Sequence, residues 1–325
     1  MLVVTLWVVT VLSILAIAIA RYLSLEVRLT KYRMTREQAA ALARGGVYLG
    51  VQRLSQDGQA EPYDWLGDDW ASVPGASPEQ PTTWVVFADD APGDSANRSR
   101  MEIQITDMER SINLNAATEA TLATPELAGS AELAKAIMDD RDPADPEVEH
   151  PVEDPPYYQK NGPFTVIEEL PDIPGVADVF PKLRLLTFAA RDAVPPKPEV
   201  NVNTAQRDVL LALGADAATV ELLIASRAGV DGLWGTEDDC KATDVSQIIS
   251  QLTQCAFGGD EAPMRELYAL NGGAVFFTVK SSIFRIQSQA FAGSPPVRRR
   301  IEAVVKRSAQ QGQDTTMEIL SWREG

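Results

Sequence analysis

The first twenty residues, MLVVTLWVVTVLSILAIAIA, form an apolar run that ends at Arg21, and a helical pattern without proline continues to about Arg53. At 1.5 Å per residue, one helix of this length would be roughly 80 Å long. Its apolar part, residues 1–20, would be roughly 30 Å long, the thickness of a bilayer core. The pattern predicts a helix that buries the start of the chain in a membrane or filament core and carries a soluble head.

Beyond this run the helix becomes amphipathic over residues 21–55, because apolar residues recur mostly every three or four positions. They are Leu25, Leu29, Tyr32, Ala39, Ala43, Val47, Val51 and Leu54. Three glycines between residues 45 and 50 weaken the helix by about 1 kcal/mol each relative to alanine, which predicts a local kink. We expect the helix to stop at Asp57.

The charge of the chain is divided unevenly along the sequence. The 325 residues carry a formal net charge of −17. Residues 1–53 hold seven Lys or Arg and two Glu, a charge of +5, so residues 54–325 hold −22. An acidic head argues against nucleic acid as a partner, since phosphates attract positive surfaces. It is compatible with divalent cations.

The rest of the chain predicts an α+β protein. Alternating apolar and polar residues predict strands at 84–87, 101–106, 275–280, 283–290, 297–307 and 316–322. The pattern between residues 111 and 272 is helical, with loops. The simplest arrangement is an antiparallel sheet domain of residues 56–110 and 273–325, interrupted by an α-helical domain of residues 111–272.

The helical domain contains an internal repeat. Residues 112–117, INLNAA, are echoed by residues 200–205, VNVNTA, and each copy leads to a helix that ends in arginine, Arg141 or Arg227. Asn115 and Asn203 are predicted helix N-caps, because an asparagine side chain accepts hydrogen bonds from the free amides of a first turn. Two related helical units are implied.

The repeat resembles two families, the helix-hairpin-helix DNA-binding module and the minor pseudopilin K (GspK) of the type II secretion system. The second is favoured by the order of the segments that surround the repeat. These are Arg141-Asp142-Pro143 with an acidic proline-rich insertion, Tyr157–Phe164, Glu168-Glu169-Leu170, Pro174-Gly175-Val176 and Ile319–Glu324. A DNA hairpin would need amides and basic residues beside its glycine turn. In this chain the corresponding turn is Ile173-Pro174-Gly175-Val176, and it is flanked by Asp172 and Asp178, which repel phosphate.

The resemblance implies a pilin-like fold, in which a long N-terminal helix packs on an antiparallel β-sheet and a large α-helical domain is inserted between strands. It implies a structural, non-enzymatic subunit at the tip of the pseudopilus, assembled with minor pseudopilins I and J and other pseudopilins. The head would lie in the periplasm and one helix in the inner membrane. Two alternatives remain: a membrane-anchored helix-hairpin-helix DNA-binding protein, and a type IV pilus minor subunit.

Three interpretations of the N-terminus are open. A cleavable signal could end at Ala18-Ile19-Ala20, but no charge precedes the apolar run. In a simple anchor, the basic residues after Arg21 would hold the head in the cytoplasm. We favour the third, in which a basic leader preceded Met1 and was removed, as in pilins.

The expected assembly residues are Met1, Thr5, Leu25, Leu29 and Tyr32, and partners are expected to contact the helix face between Leu25 and Val51. Pilin-like subunits mostly carry glutamate at the fifth mature position, where it neutralises a neighbour's N-terminal amine in an apolar core. With Met1 as the mature start, Thr5 gives up that ion pair, as pseudopilin K does. Alternatively, Thr5 is an ordinary helix residue whose hydroxyl bonds to a carbonyl one turn earlier.

Cys240 and Cys255 are the only cysteines. Their short spacing, together with an export-type N-terminus, predicts one disulfide formed in an oxidising compartment. The alternative is two buried free thiols. In the chain-entropy model, closing a loop of ~15 residues stabilises by about 3 kcal/mol.

Two acidic stretches are candidate calcium sites, because calcium takes six to eight oxygen ligands. The first offers Asp231, Glu237, Asp238 and Asp239, with glycines for sharp turns, and the family resemblance supports it. The second offers Asp140, Asp142, Asp145 and Glu149. The alternative for both is a solvated acidic loop. No nucleophile motif or phosphate-binding loop appears in the sequence, and the single histidine, His150, lies in an acidic loop.

Overall fold

The computed structural model describes residues 2–71, 83–87, 99–143, 159–190, 198–233, 236, 238–269, 276–308 and 315–325. Its helices are α1 Leu2–Ala60, α2 Glu119–Leu122, α3 Ala131–Arg141, α4 Phe180–Leu186, α5 Arg207–Ala212, α6 Ala217–Ser226, α7 Ile248–Ala256 and α8 Ala262–Ala269, with 3-10 helices at Ile167–Asp172 and Val245–Gln247. Its strands are β1 Thr83–Phe87, β2 Arg100–Asp107, β3 Ile112–Asn113, β4 Thr187–Phe188, β5 Glu199–Asn201, β6 Phe276–Thr278, β7 Ile283–Ala292, β8 Val297–Ser308 and β9 Thr316–Glu324.

Five strands form the main antiparallel sheet in the order β1-β2-β7-β8-β9. Strand β7 pairs with β2 on one side and with β8 on the other. Side chains along β2 and β7 alternate between buried and partly exposed, as expected for a sheet that packs on one face. The predicted α+β fold, a pilin-like long helix on an antiparallel sheet with a helical domain inserted between strands, is confirmed.

The C-terminal half of α1 covers the buried face of this sheet. Ala43, Val47 and Leu54 are fully buried there and pack in one cluster with apolar side chains of β2, β7 and β8. Burying a valine or leucine side chain fully stabilises the fold by roughly 1.5–3 kcal/mol, and burying an alanine contributes less. The contact between helix and sheet therefore holds the head to the end of the long helix.

The glycines of α1 explain how closely the helix approaches the sheet. The helix runs through them without a break and ends at Ala60, beyond the predicted stop. A Cβ atom on Gly46 would lie 2.1 Å from the Ser288 Oγ atom, and one on Gly50 would lie 2.9 Å from a methyl carbon of Ile286. Gly46 and Gly50 thus leave room for the side chains of β7. This need arises from the packing of the helix on the sheet, and helix propensities do not predict it.

The inserted helical domain lies between β2 and β7 and has its own apolar core. It contains two short parallel strand pairs, β3 with β4 and β5 with β6. A strand lies within residues 275–280, as predicted, but it does not join the antiparallel sheet: β6 pairs parallel with β5, and Phe277 and Val279 pack in the helical core. The alternating pattern could not distinguish between the two possible partners, since both bury one face of the strand.

Candidate functional site

The internal repeat is a structural duplication. We define the first copy as residues 112–141 and the second copy as residues 200–227. In each copy, the backbone N–H of the second asparagine donates a hydrogen bond to the side-chain oxygen of the first. The distance is 3.0 Å from Asn115 N to Asn113 Oδ1 and 2.9 Å from Asn203 N to Asn201 Oδ1. Both first asparagines therefore form the same tight turn.

The arginine that ends each copy binds the backbone of this turn. Arg141 donates from Nη1 to the carbonyls of Leu114 and Ala117, at 3.0 and 2.7 Å. Arg227 donates from Nη2 to the Val202 carbonyl and from Nη1 to the Ala205 carbonyl, both at 2.6 Å. These carbonyls occupy equivalent positions of the repeat. The arginines are thus structural, which the sequence pattern alone did not show.

The predicted N-cap role of Asn115 and Asn203 was wrong. The side chain of Thr118 caps α2, and Gln206 stands at the N-cap of α5 without a side-chain bond. Asn115 instead exchanges hydrogen bonds with the backbone of Phe164, at 2.8 and 2.9 Å. A helix cap uses only the oxygen of an asparagine side chain. Here both the oxygen and the NH2 group form hydrogen bonds, so the side chain joins two segments of the chain.

Asn203 performs the equivalent task in the second copy, but it reaches further. Its side chain exchanges two bonds of 2.8 Å with the backbone of Ala242. It also donates to the carbonyl of Asp64, in the segment that follows α1, at 3.1 Å. The second copy is therefore tied to the junction between the long helix and the sheet.

A buried polar cluster occupies that junction. Asp57 and Asp64 both accept hydrogen bonds from the guanidinium of Arg307, with Asp57 Oδ2 2.8 Å from Nη1 and Asp64 Oδ1 2.6 Å from Nη2. Asp68, which completes this acidic group, accepts from the indole of Trp70 at 3.0 Å. Burial raises the pKa of Asp68 to about 8. Arg307 supplies the cationic charge here, so the geometry favours an internal ion pair over a metal.

The acidic end of β2 faces the second copy. The carboxylate of Asp107 accepts from the hydroxyls of Thr204 and Ser281, at 2.5 and 2.7 Å. Glu109 accepts from the amide of Ser282 at 2.9 Å. Burial raises the pKa of Asp107 to about 6, and burial together with the charge of Asp107 raises the pKa of Glu109 to about 8. Their hydrogen bonds join the end of β2 to the second copy and to the residues just before β7.

The first candidate calcium loop follows the second copy. Carboxylate oxygens of Asp231, Asp238 and Asp239 lie within 4.8 Å of one another. Asp238 accepts from the amide of Val230 at 2.6 Å, and hydrogen bonds from Thr236 and Val230 lower the pKa of the Asp238 carboxyl. Glu237, the fourth predicted ligand, lies outside the described residues.

The loop is shaped for this convergence of carboxylates. Gly229 has a φ of +58°, and a Cβ atom on it would lie 2.3 Å from the Asp238 carboxylate. The single hydroxyl of Thr236 lies 2.8 Å from Asp238 and 3.1 Å from Asp239. One hydroxyl donates one proton, so it satisfies only one of these carboxylates at a time. The donor set, oxygen only and close together, fits a hard cation such as calcium.

The two cysteines are joined in a disulfide, as predicted, with Cα atoms 5.6 Å apart. Cys240 directly follows the acidic loop and is buried, and Cys255 lies on α7. The disulfide therefore anchors the loop to the second half of the helical domain.

The second candidate calcium stretch is only partly described. Asp140 is buried and accepts from the amide of Lys160 at 2.8 Å. Asp142 pairs with Arg141, Oδ1 to Nε, at 2.7 Å. Asp145 and Glu149 lie outside the described residues, as does His150. The two described carboxylates thus bind protein groups.

The N-terminal half of α1 is a continuous exposed apolar surface. It is long and apolar enough to cross a membrane, and none of its most apolar stretch is buried by the head. The Thr5 hydroxyl donates to the Leu2 carbonyl at 2.8 Å, the bond that the simpler interpretation of this residue predicts. Met1 lies outside the described residues. Leu25, Leu29 and Tyr32 are exposed.

The expected assembly face, residues 25–51, requires a correction. Its C-terminal part is not available to partners, because Ala39, Ala43 and Val47 are fully buried in the head. On this face Tyr32 is exposed and the buried stretch begins at Ala39, whereas Tyr48 and Leu49 remain exposed elsewhere on the helix surface. An apolar helical stripe in the sequence cannot reveal whether its own sheet or a partner covers it.

Comparison with known proteins shows the fold. No protein-family model matches the chain, and no curated protein matches it significantly. One chain of a crystal structure described as the GspK-GspI-GspJ complex of the type 2 secretion system from enterotoxigenic Escherichia coli is similar, with a TM-score of 0.61. The match covers 91% of this chain and 99% of that chain at 19% sequence identity. The two chains share one architecture over the aligned part.

Proposed function

We propose that this chain is a minor pseudopilin, a structural subunit of a type II secretion system that corresponds to pseudopilin K. The observation that carries the proposal is the fold match, which extends over nearly the whole of both chains and includes the inserted domain. The free apolar half of α1 supports it, since such a helix needs a membrane or neighbouring helices around it. No catalytic role is needed to explain the buried acids, which serve the domain junction.

The proposed partners are minor pseudopilins I and J, bound through the exposed part of α1. Leu29 and Val27 offer a matched pair for the test, because both are exposed and lie on opposite sides of the helix. Leu29→Gln should reduce co-purification of I and J from detergent extracts, and Val27→Gln should not. Equal retention of both partners by the two variants would contradict this interface.

The proposed position is the tip of the pseudopilus, with the head in the periplasm. The oxidising compartment that the disulfide requires supports this side of the membrane. The bulk of the inserted domain supports a single copy at the end, since repeated heads would clash along a tightly wound shaft. Labelled heads should therefore appear at one end of isolated filaments. Regular spacing along the shaft would refute the position.

We further propose that the loop of Asp231, Asp238 and Asp239 binds calcium. Convergence of three carboxylates on one hydroxyl supports it, because a divalent cation would offset their mutual repulsion. A ligand that binds only the folded state raises stability by about 2.7 kcal/mol at a hundredfold excess over its Kd.

The test compares the melting temperature in calcium and in chelator. Calcium should raise it in the natural chain and in Asp178→Asn, an exposed acid elsewhere in the helical domain. It should not raise it in Asp231→Asn, which removes one charge and keeps the oxygen that accepts from Leu233. A melting temperature that is the same in calcium and chelator would end the calcium proposal without affecting the structural role.

A further inference from the structure

A cleft separates the outer face of the sheet, opposite α1, from the helical domain. Its volume is about 130 Å³, compared with roughly 10–15 Å³ for one water molecule on the same measure. One wall is formed by side chains of β7, β8 and β9, and the other by the 3-10 helix Ile167–Asp172 and the end of α4. Ligand sites occur preferentially at such junctions between domains.

The cleft is basic although the head as a whole is strongly acidic. Four arginines line it, Arg184, Arg285, Arg300 and Arg323, against two glutamates, Glu168 and Glu302. The lining charge is therefore +4 − 2 = +2, whereas residues 54–325 carry −22. A localised basic site on an otherwise acidic surface attracts anions that the rest of the surface repels.

The two glutamates are already engaged. Glu168 accepts from Arg323 at 2.9 Å, across the cleft. Glu302 accepts from Gln287 at 2.7 Å and lies 3.7 Å from Arg300. In the part of the chain that the structure describes, neither Arg184 nor Arg285 lies within ion-pair distance of a carboxylate, although the charge of Arg184 acts on Glu168 at longer range. Two guanidinium groups thus remain for an external anion.

Arg285 carries a second, independent indication. Its Nε atom is buried and has no hydrogen-bond partner among the described residues. A buried donor without an acceptor costs free energy, which an oxygen acceptor placed in the cleft would recover. Guanidinium groups bind carboxylates and phosphates through paired N–H donors. Of the two, the carboxylate is the group that an unmodified polypeptide partner carries on its side chains.

We propose that this cleft binds a carboxylate side chain from an acidic segment of a protein partner. The site is independent of the proposed calcium loop and of the interface on α1. It would give the head a specific contact with an acidic polypeptide despite its own negative charge.

The experiment uses the full-length chain in a neutral detergent and two fluorescein-labelled peptides, hexaglutamate and hexaglutamine, in an anisotropy titration at low salt. The double variant Arg184→Gln/Arg300→Gln alters two exposed arginines of the cleft and should fold normally. It should weaken hexaglutamate binding by about tenfold or more. Arg285→Gln should weaken it too, with its melting temperature measured alongside.

The control is a second double variant, Arg28→Gln/Arg33→Gln, which removes two exposed charges from the basic part of α1 and has the same net charge. It should bind hexaglutamate as the natural chain does. Weakened binding in this control together with unchanged binding in the cleft variant would overturn the proposal, because attraction would then come from the helix. Equal binding of the two peptides, or no binding of hexaglutamate, would also overturn it.

Discussion

The two copies of the Asn-x-Asn unit make the same backbone contacts in different surroundings. In each, an arginine holds two carbonyls of the asparagine turn. In the first copy, Arg141 also pairs with the more exposed carboxylate of Asp142. In the second, Arg227 is fully buried, and burial with the nearby charge of Arg110 lowers its pKa to about 9. Carbonyl binding, common to both, is therefore what the unit requires.

The surroundings differ because the second copy is the one that meets the rest of the molecule. Asn203 and Asn201 bond to the Asp64 carbonyl, and Thr204 bonds to Asp107 at the end of β2. Among the residues that the structure describes, the Asn115 side chain of the first copy bonds within the helical domain, to Phe164 and Ala190. The first copy therefore contacts the core of the helical domain, and the second copy contacts the junction with the long helix and the sheet.

The largest expected difference between the copies comes from their second asparagines. Asn203→Ala should destabilise the head by about 4 kcal/mol, since it leaves several buried backbone groups unpaired at roughly 1–3 kcal/mol each. Asn115→Ala, at a half-buried position, should cost about 2 kcal/mol. Urea unfolding of the two variants measures both values, and equal costs would show that the junction contacts add nothing.

The disulfide should distinguish the copies next. Cys240→Ala/Cys255→Ala should lower stability by about 3 kcal/mol, because a loop of ~15 residues is no longer closed in the unfolded chain. Hydrogen exchange should then rise in residues 200–256 and remain nearly unchanged in the first copy. A uniform rise across both copies would indicate that they unfold as one unit.

The two arginines should differ in their tolerance of lysine. Arg141 uses one nitrogen for both carbonyls, and a lysine ammonium could reproduce this contact. Arg227 uses two nitrogens, which lysine cannot. We expect a loss of about 2 kcal/mol for Arg227→Lys and about 1 kcal/mol or less for Arg141→Lys. The reverse order in thermal unfolding would contradict the geometry.

The last expected difference is a dependence of stability on pH near the second copy. The pKa of Glu109 is raised from 4.5 to about 8, so the folded head keeps a proton that the unfolded chain has released. Its stabilising contribution is complete below pH 4.5 and is lost as the pH rises through about 8. Stability should therefore fall steadily as the pH rises from 5 to 8.

Glu109→Gln should flatten this slope, because an amide can replace the protonated acid opposite Ser282. Glu132→Gln, which changes an exposed carboxylate of the first copy, serves as the control and should leave the slope unchanged. Identical slopes in all three proteins would show that Glu109 does not titrate in this range.

Local patterns were sufficient for much of the molecule. The apolar run and the apolar residues at every third or fourth position predicted α1. Alternation predicted the strands of the main sheet, and the spacing of Cys240 and Cys255 predicted the disulfide. The duplication was also visible in the asparagines. One further signal was available: Arg307 stands at an inward-facing position of an alternating strand, where a charge requires a buried partner.

The sequence by itself determined the long helix, the inserted domain and its duplication, because periodicity, charge and repeated residues are properties of neighbouring positions. Only the tertiary structure decided what covers each surface. Ala39, Ala43 and Val47 are buried in the head, and β6 pairs with β5 in the helical domain. Asn203 bonds to the junction, and four arginines line one cleft. These outcomes depend on contacts between residues far apart in the chain, and such contacts leave no mark on local spacing.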